Sequence, residues 1–501
     1  MKRMKRILTL LLACSMLLSA AACSENAADE TNAPAADTSA NVSDTGASAE
    51  ETAPETSRAD VKDSLPEISF DGREYRAAST TSTQYEFYAE EITGEATNDA
   101  VYNRNLLIED RFDTKIVPVE YSGLGAITSD VATLVAAGTD AYEVVSHCAY
   151  KAYTPIRARA YRNWMEVKNI DLSRPWWNQL ANDQSTINGF LYTITGDINI
   201  SSLLNTYAMF FNIDLAEDYG ITAESLYNSV YEGTWTVDKF IATTSAIYQD
   251  TNGNGTKDNN DTYGFAAWPG ISADAWLAAF DQPISGKDEN GYPTPVFMTD
   301  KTVSAVEKIS NFYYNTQGCY ADMGTAEYEV TMFVNNQVIM VPSVFNDAFT
   351  QYRTMDAAYG IVPYPKWDEA QARYLTNARD QYTVLGIPAF KGDDSLEFIG
   401  VITEALAAES YRSVFPQYYD IALKGKYSVD KDTANMVDLV LSGRNFDFSF
   451  LFGESEFQRL PYMFRDLLAD RSTDVASAYK RIQKVLSRTV SKMSELFMEQ
   501  E

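Results

Sequence analysis

The stretch AGTDAYEVVS, Ala137 to Ser146, decides the fold. Gly138 stops a helix, because glycine enters the left-handed conformation that ends helices without a Cβ penalty. Tyr142 to Ser146 then reads as a strand. Working backward, Ser129 reads as the cap of a helix with Leu134 and Val135 inside. Lys115 to Tyr121 (KIVPVEY) is a second strand. Asn98 caps a helix through Phe112, with Val101, Ile108 and Phe112 on one face, and Arg73 to Ser79 is a first strand. Strand–helix–strand–helix–strand implies an α/β architecture with a parallel sheet. Ligands of such sheets sit beyond the carboxyl ends of the strands. That places Ser146, His147 and the loop to Tyr153 at the expected binding edge.

Working forward, TYAMFFNID (Thr206 to Asp214) is an apolar extended run. Thr236 caps a helix with Val237, Phe240, Ile241, Thr244, Ile247 and Tyr248 on one face. Ala305 to Tyr314 and Leu396 to Ala408 are further helices. From Ser472 onward, Val475, Tyr479, Ile482, Leu486, Met493 and Phe497 trace a stripe that reads as core packing.

The remainder of the chain bounds its setting. Its 501 residues suffice for two or three domains, and 45% are hydrophobic. A formal charge of -30 argues against nucleic acid and anionic lipid as partners. MKRMKR followed by ILTLLLACSMLLSAAA has the pattern of a secretory leader, too short to span a bilayer, which takes about 20 residues. The run ends in Ala20-Ala21-Ala22-Cys23, a pattern similar to a bacterial lipobox in which Cys23 is lipidated and becomes the N-terminus of the mature chain. Ser24 to Asp63, rich in Ala, Thr, Ser, Asp and Glu, lacks the apolar surface to order itself and reads as a tether. Residues 1–22 are thus the expected signal peptide and 23–66 the acidic tether of a protein held at the outer face of the cell membrane. Cys148 and Cys319 are expected as buried thiols. His147 is the only histidine, which excludes a multi-histidine zinc site.

DTNGNGTKDNND, Asp250 to Asp261, has the spacing of a calcium loop. Asp250, Asn252, Asn254, the Thr256 carbonyl, Asp258 and Asp261 hold the ligand places, and Gly255 the tight turn. Aspartate rather than glutamate in the last place, and a single copy, predict a weak structural Ca2+ site rather than a sensor. The alternative is an Asx and glycine turn without metal.

Taken in order, NDAVYNRN (Asn98 to Asn105), AGTDAYEVVS, RPWWN (Arg174 to Asn178), FFNID (Phe210 to Asp214), GTWTVDKF (Gly233 to Phe240), NNQVIMVPS (Asn335 to Ser343), GIVPYPKWDEAQARY (Gly360 to Tyr374) and FPQYYDIALKGKY (Phe415 to Tyr427) resemble the extracellular solute-binding lipoproteins of bacterial ABC importers, of the sugar-binding type related to maltodextrin-binding protein. The resemblance implies a two-lobed type 2 periplasmic-binding-protein fold with an inter-lobe ligand cleft. It implies an N-terminal lobe of residues 67–209 and 342–384 and a C-terminal lobe of 210–341 and 385–501. Hinge crossings are expected near Tyr207 to Phe211, Met340 to Ser343 and Tyr382 to Ile387.

The implied function is hinge-closing capture of a carbohydrate by a monomer, without catalysis, and delivery to an ABC permease. Aromatic rings cover sugar C–H faces while polar groups bond the hydroxyls. The expected ligand residues are Ser146, His147, Trp176, Trp177, Tyr207, Trp268, Trp276, Phe345, Tyr382, Arg444 and Asp447. The rival readings are a surface glycosidase with two carboxylates across the cleft, and the same fold binding a peptide or polyamine.

Overall fold

The computed structural model describes residues 57–324, 328–423 and 431–498. The leader, Cys23 and all but the end of the tether lie outside the described residues. In chain order the strands are β1 (Arg73–Thr80), β2 (Thr114–Tyr121), β3 (Val144–Cys148), β4 (Tyr207–Asn212), β5 (Tyr248–Gln249), β6 (Thr262–Ala266), β7 (Ser285–Lys287), β8 (Pro293–Pro295), β9 (Cys319–Tyr320), β10 (Val338–Val344), β11 (Tyr359–Val362), β12 (Thr376–Asn377), β13 (Thr383–Gly386) and β14 (Arg444–Asn445).

The first sheet has the order β13-β3-β1-β2. β1 runs parallel to β2 and β3, as the alternation of strands and helices requires, and β13 runs antiparallel to β3. Adjacent residues of a strand face opposite sides. Ala77 accordingly joins a core with Phe112, Trp164 and Ile399, while Ala78 joins Ile127 and Val131 on the other face. Helices thus cover both sides, which is why β3 is wholly buried and β1 is buried from Ala77 to Thr80.

The local boundaries differ from expectation for identifiable reasons. The first helix spans Ala96–Phe112, and Asp99 in its first turn accepts from the Thr93 and Gly94 amides of the preceding segment at 2.8 and 3.1 Å, which fixes the entry of the chain into the helix. Asn98 instead donates to the Glu91 carbonyl. The second helix spans Leu124–Ala137 and so begins before Ser129; Gly138, at φ 64°, ends it as expected. β3 starts two residues later than Tyr142 and runs to Cys148, because Val144 is the residue that pairs with Ala77.

The second sheet has the order β11-β4-β10-β6-β5, with β9 paired to β6. β4 is antiparallel to both neighbours. Its alternation is strict: Ala208 and Phe210 pack with Phe333 and Val437, while Met209 and Phe211 pack toward Phe240 and Trp276. The helix capped by Thr236 ends at Thr244, short of the expected Tyr248, which lies in β5. That helix end lies so close to β6 that a Cβ on Gly264 would collide with the Thr244 carbonyl oxygen. The Val475–Ser494 helix buries Val475, Leu486 and Met493 of the expected stripe, with Tyr479 stacked on Phe297.

The expected division of the chain is corrected at two places. β10 and β11 hydrogen-bond to β4, so 338–362 belongs to the second sheet. β13 hydrogen-bonds to β3, and Leu396 to Ala408 share a core with Tyr75 and Trp164, so 383–408 belongs with the first. The Met340 to Ser343 crossing is thus the interior of β10. The chain passes from Leu385 and Ala408 in the first core to Val414 and Phe415 in the second through the π-helical turn Ser410–Val414. Among the described residues, no helix is long and apolar enough to cross a membrane, and Cys148 and Cys319 are buried free thiols, as expected.

Candidate functional site

The parallel strands of both sheets aim their carboxyl ends at one cavity of about 480 Å3. From the first sheet come Thr83 and Tyr85 beyond β1, Leu124 beyond β2 and Cys148 at the end of β3. From the second come Trp268 beyond β6 and Asn346 and Asp347 beyond β10. The connecting segments close the floor with Ser201, Asn205, Tyr207, Arg379 and Gln381. Both sheets and the chain passages between them therefore meet at one place.

The polar groups there are held in position. The Tyr207 hydroxyl donates to the Ile271 carbonyl at 2.9 Å. The Arg379 backbone N–H donates to the Asn205 carbonyl at 2.8 Å, and the Arg379 Nε is buried without a hydrogen-bond partner. The Trp268 Nε1 is likewise a buried donor without a partner. Glu329 is buried on the same wall, and Asp347 accepts from the Ser343 hydroxyl. Near Tyr207, Arg465 donates to Asp274 at 2.7 Å and the Tyr462 hydroxyl donates to Asp380 at 2.6 Å. Burial pushes the Asp274 carboxyl up to about 8 despite Arg465.

Solved structures share this architecture. UspC of M. tuberculosis superposes with a TM-score of 0.55 at 14% identity, over 83% of this chain and 100% of that one. A cyclo/maltodextrin-binding protein complexed with maltotetraose gives 0.53 at 13% identity, over 86% and 98%. The maltose/maltodextrin-binding domain MalE of Bdellovibrio bacteriovorus, bound to maltotriose, gives 0.51 at 12% identity, over 84% and 100%. The chain has the type 2 periplasmic-binding-protein fold. No protein-family model matches it, and no curated protein matches it in sequence.

Within this fold, two of the expected ligand residues, Tyr207 and Trp268, line the cavity. The others lie elsewhere. Ser146 and His147 sit inside β3, covered by its pairing with β13. Trp276 is core, with its Nε1 donating to the Tyr313 hydroxyl at 2.9 Å. Phe345 packs edge-on against Phe210, and Tyr382 edge-on against Phe446. Asp447 accepts from the Ile284 and Ser285 amides and from Ser449, which ties the β7 strand to the Phe448–Phe452 turn.

Trp176 and Trp177 both donate their Nε1–H to the buried Glu404, at 3.0 and 2.8 Å. Gly196 permits that packing, since a Cβ there would strike the Trp176 carbonyl. Trp177 and Arg444 line a second cavity of about 640 Å3 together with Arg58 and Asp197. Arg58 bonds Asp197 at 3.1 Å and lies 4.3 Å from the rings of Tyr411 and Phe415. With the Arg111–Asp63 pair at 2.9 Å, these contacts fasten the end of the tether to the body.

Arg379, Glu329, Asp347 and Gln381 were not anticipated. The one signal that pointed to Asp347 was its place just beyond an apolar strand; single charged residues in loops carry no local pattern.

The Asp250–Asp261 loop offers only oxygen donors, the chemistry calcium takes. Its side chains are engaged with one another. Asp250 accepts from the Gly253 and Gly255 amides at 2.7 and 2.8 Å, and Asp258 accepts from the Asn252 and Asn254 carboxamides at 3.2 and 2.7 Å. Asp261 accepts from the Tyr248 hydroxyl and the Thr251 amide. Among the described residues, no three His, Cys, Asp or Glu side chains gather as a metal cluster. A half-turn of the two carboxamides would present their Oδ1 atoms toward Asp258 in place of N–H groups. The loop pins the edge hairpin β5–β6, far in sequence from the cleft-lining Asp347 and Arg379.

Proposed function

We propose that the chain is a solute-binding protein of the outer cell surface: it captures a carbohydrate by closing its two halves over the cleft and delivers it to the permease of an ABC importer. The observation that carries this reading is the cavity at which the carboxyl ends of both sheets and the passages between them converge. A ligand that touches both sides only when they are shut shifts the population toward closure. A sugar suits the lining: Trp268 offers a ring face and an unpartnered N–H, Glu329, Asp347 and Arg379 offer charged partners for hydroxyls, and Gln381 a neutral carboxamide. Two fold neighbours hold maltotetraose and maltotriose.

In this reading the chain performs no catalysis. The glycosidase alternative is favoured by one observation, the two carboxylates Glu329 and Asp347 on the cleft wall. Cys23 carries the lipid that keeps the protein at the membrane, and the Asp250–Asp261 loop takes a weakly bound structural Ca2+.

The test is calorimetric titration with sugars, peptides and polyamines, small-angle scattering with and without the best binder, and product analysis after prolonged incubation. Binding of a sugar with contraction and no product supports the proposal. Hydrolysis of the sugar moves the assignment to the enzyme, and tight binding of a polyamine or peptide instead moves it to that ligand class. Membrane release of a Cys23→Ala chain checks the anchor.

A further inference from the structure

The Val475–Ser494 helix carries Lys480, Lys484, Arg488 and Lys492 at every fourth position, with Arg481 beside them. All five are exposed, and none is in a salt bridge among the described residues. The helix contains no aspartate or glutamate, in a chain where these outnumber lysine and arginine by 70 to 40. Like charges four residues apart disfavour a helix, so this row is not explained by local stability. The opposite face is fixed to the body by Leu486, Val490 and Met493. Arg157 extends the row, meeting Arg488 and Lys492 around a shallow groove whose one acid, Glu456, it already pairs at 3.2 Å.

We propose that this row rests on an anionic lipid bilayer and so orients the body against the membrane. The net charge of -30 argues otherwise only at long range. At physiological salt the screening length is about 8 Å, whereas a helix of this length is roughly 30 Å long. A surface in contact with the row therefore senses the row and not the distant acids. The composition favours lipid over a protein partner. Protein interfaces are depleted of lysine and built around buried aromatic or arginine anchors, while lysine-rich rows suit a diffuse layer of headgroups, each cation adding about fivefold to partitioning.

The test uses the full chain and amine acylation read by mass spectrometry, with the exposed Lys239 on another helix as internal control. The expected result is that phosphatidylglycerol vesicles slow modification of Lys480, Lys484 and Lys492 at least fivefold relative to Lys239, that phosphatidylcholine vesicles do not, and that 1 M salt abolishes the effect. In the Lys484→Glu, Arg488→Glu variant, whose changes are both on the surface, protection of Lys480 and Lys492 is lost. Equal rates in the two kinds of vesicle overturn the proposal. So does protection by polyglutamate with none by anionic vesicles, which would assign the row to an acidic protein.

Discussion

The His147 Nε2 lies 2.7 Å from the Tyr161 hydroxyl, and the two rings stack with centroids 5.9 Å apart. On its other side Nδ1 meets the Cys148 carbonyl at 3.0 Å. A carbonyl only accepts, so Nδ1 carries the proton and Nε2 accepts from the phenol. The single histidine is thus a neutral core group and not a ligand of the cleft. Complete burial pushes it down to about 4 from 6.5.

The sign of the pH effect follows. The folded pKa lies below the unfolded one, so protonation favours the unfolded chain. The stability lost is nil above about pH 6.5 and grows to about 3 kcal/mol as pH falls to about 4. Glu86, pushed up to about 7 by burial, works oppositely, losing stability as pH rises toward 7. The readout is therefore the difference between variants. In urea unfolding at pH 7, 5.5 and 4.5, His147→Gln is expected to be less stable than the parent at pH 7 and to lose less between pH 6.5 and 4. Parallel curves would refute the neutral-core assignment.

Glu404 gathers three N–H groups: the two indoles and, at 3.3 Å, the Asp171 amide. Burial pushes its carboxyl up to about 7, so pH 8 is where it acts as the double acceptor. Glu404→Gln leaves one acceptor oxygen for two indoles and turns an N–H toward the other. A buried donor without a partner costs about 1–3 kcal/mol. Chemical denaturation at pH 8 is expected to show that loss, with ligand affinity unchanged. An unchanged midpoint would mean that the indoles find other partners.

The same cluster shows where sequence reading stops. The order of β1, β2 and β3 was legible because apolar periodicity and Gly138 are local properties. Core tryptophans were not: Trp176 and Trp177 look like platforms in a Pro-flanked loop, and only the distant Glu404, on the Asp393–Glu409 helix, makes them interior. The lobe boundaries failed for a similar reason. Strands β10 and β13 are both apolar, and nothing within either says that one pairs with β4 and the other with β3. Trp268 entered only as a position implied by the family resemblance, with no local pattern of its own, and the structure sets it on the cavity wall. Arg379 and Glu329 reach the cleft only through tertiary folding.

Calcium binding by the Asp250–Asp261 loop is tested by titration. The expected outcome is a dissociation constant on the order of 0.1–1 mM and a melting temperature that rises with calcium. Asp250→Ala is expected to abolish that rise and also to lower stability without calcium, since its carboxylate holds the Gly253 and Gly255 amides. Sugar specificity is expected to be unaffected. Absence of both titration heat and stabilisation in the parent would leave the loop as a self-bonded turn.

Two tryptophans eight residues apart separate binding from folding. Trp276 is fully buried between Phe240 and Tyr364, with its N–H on Tyr313. Trp276→Ala is expected to cost about 3–5 kcal/mol of stability, as large aromatic truncations in a core do. Trp268 is only partly buried and lines the cleft. Trp268→Ala removes a ring face and one donor from the ligand and little from the core. The expected result is a tenfold to hundredfold weaker sugar affinity, equivalent to about 1.4–2.8 kcal/mol, with the melting temperature of the sugar-free protein shifted much less than by Trp276→Ala. A Trp268→Ala protein that binds as tightly as the parent would place the solute away from this wall, and with it the role given to the carboxyl end of β6.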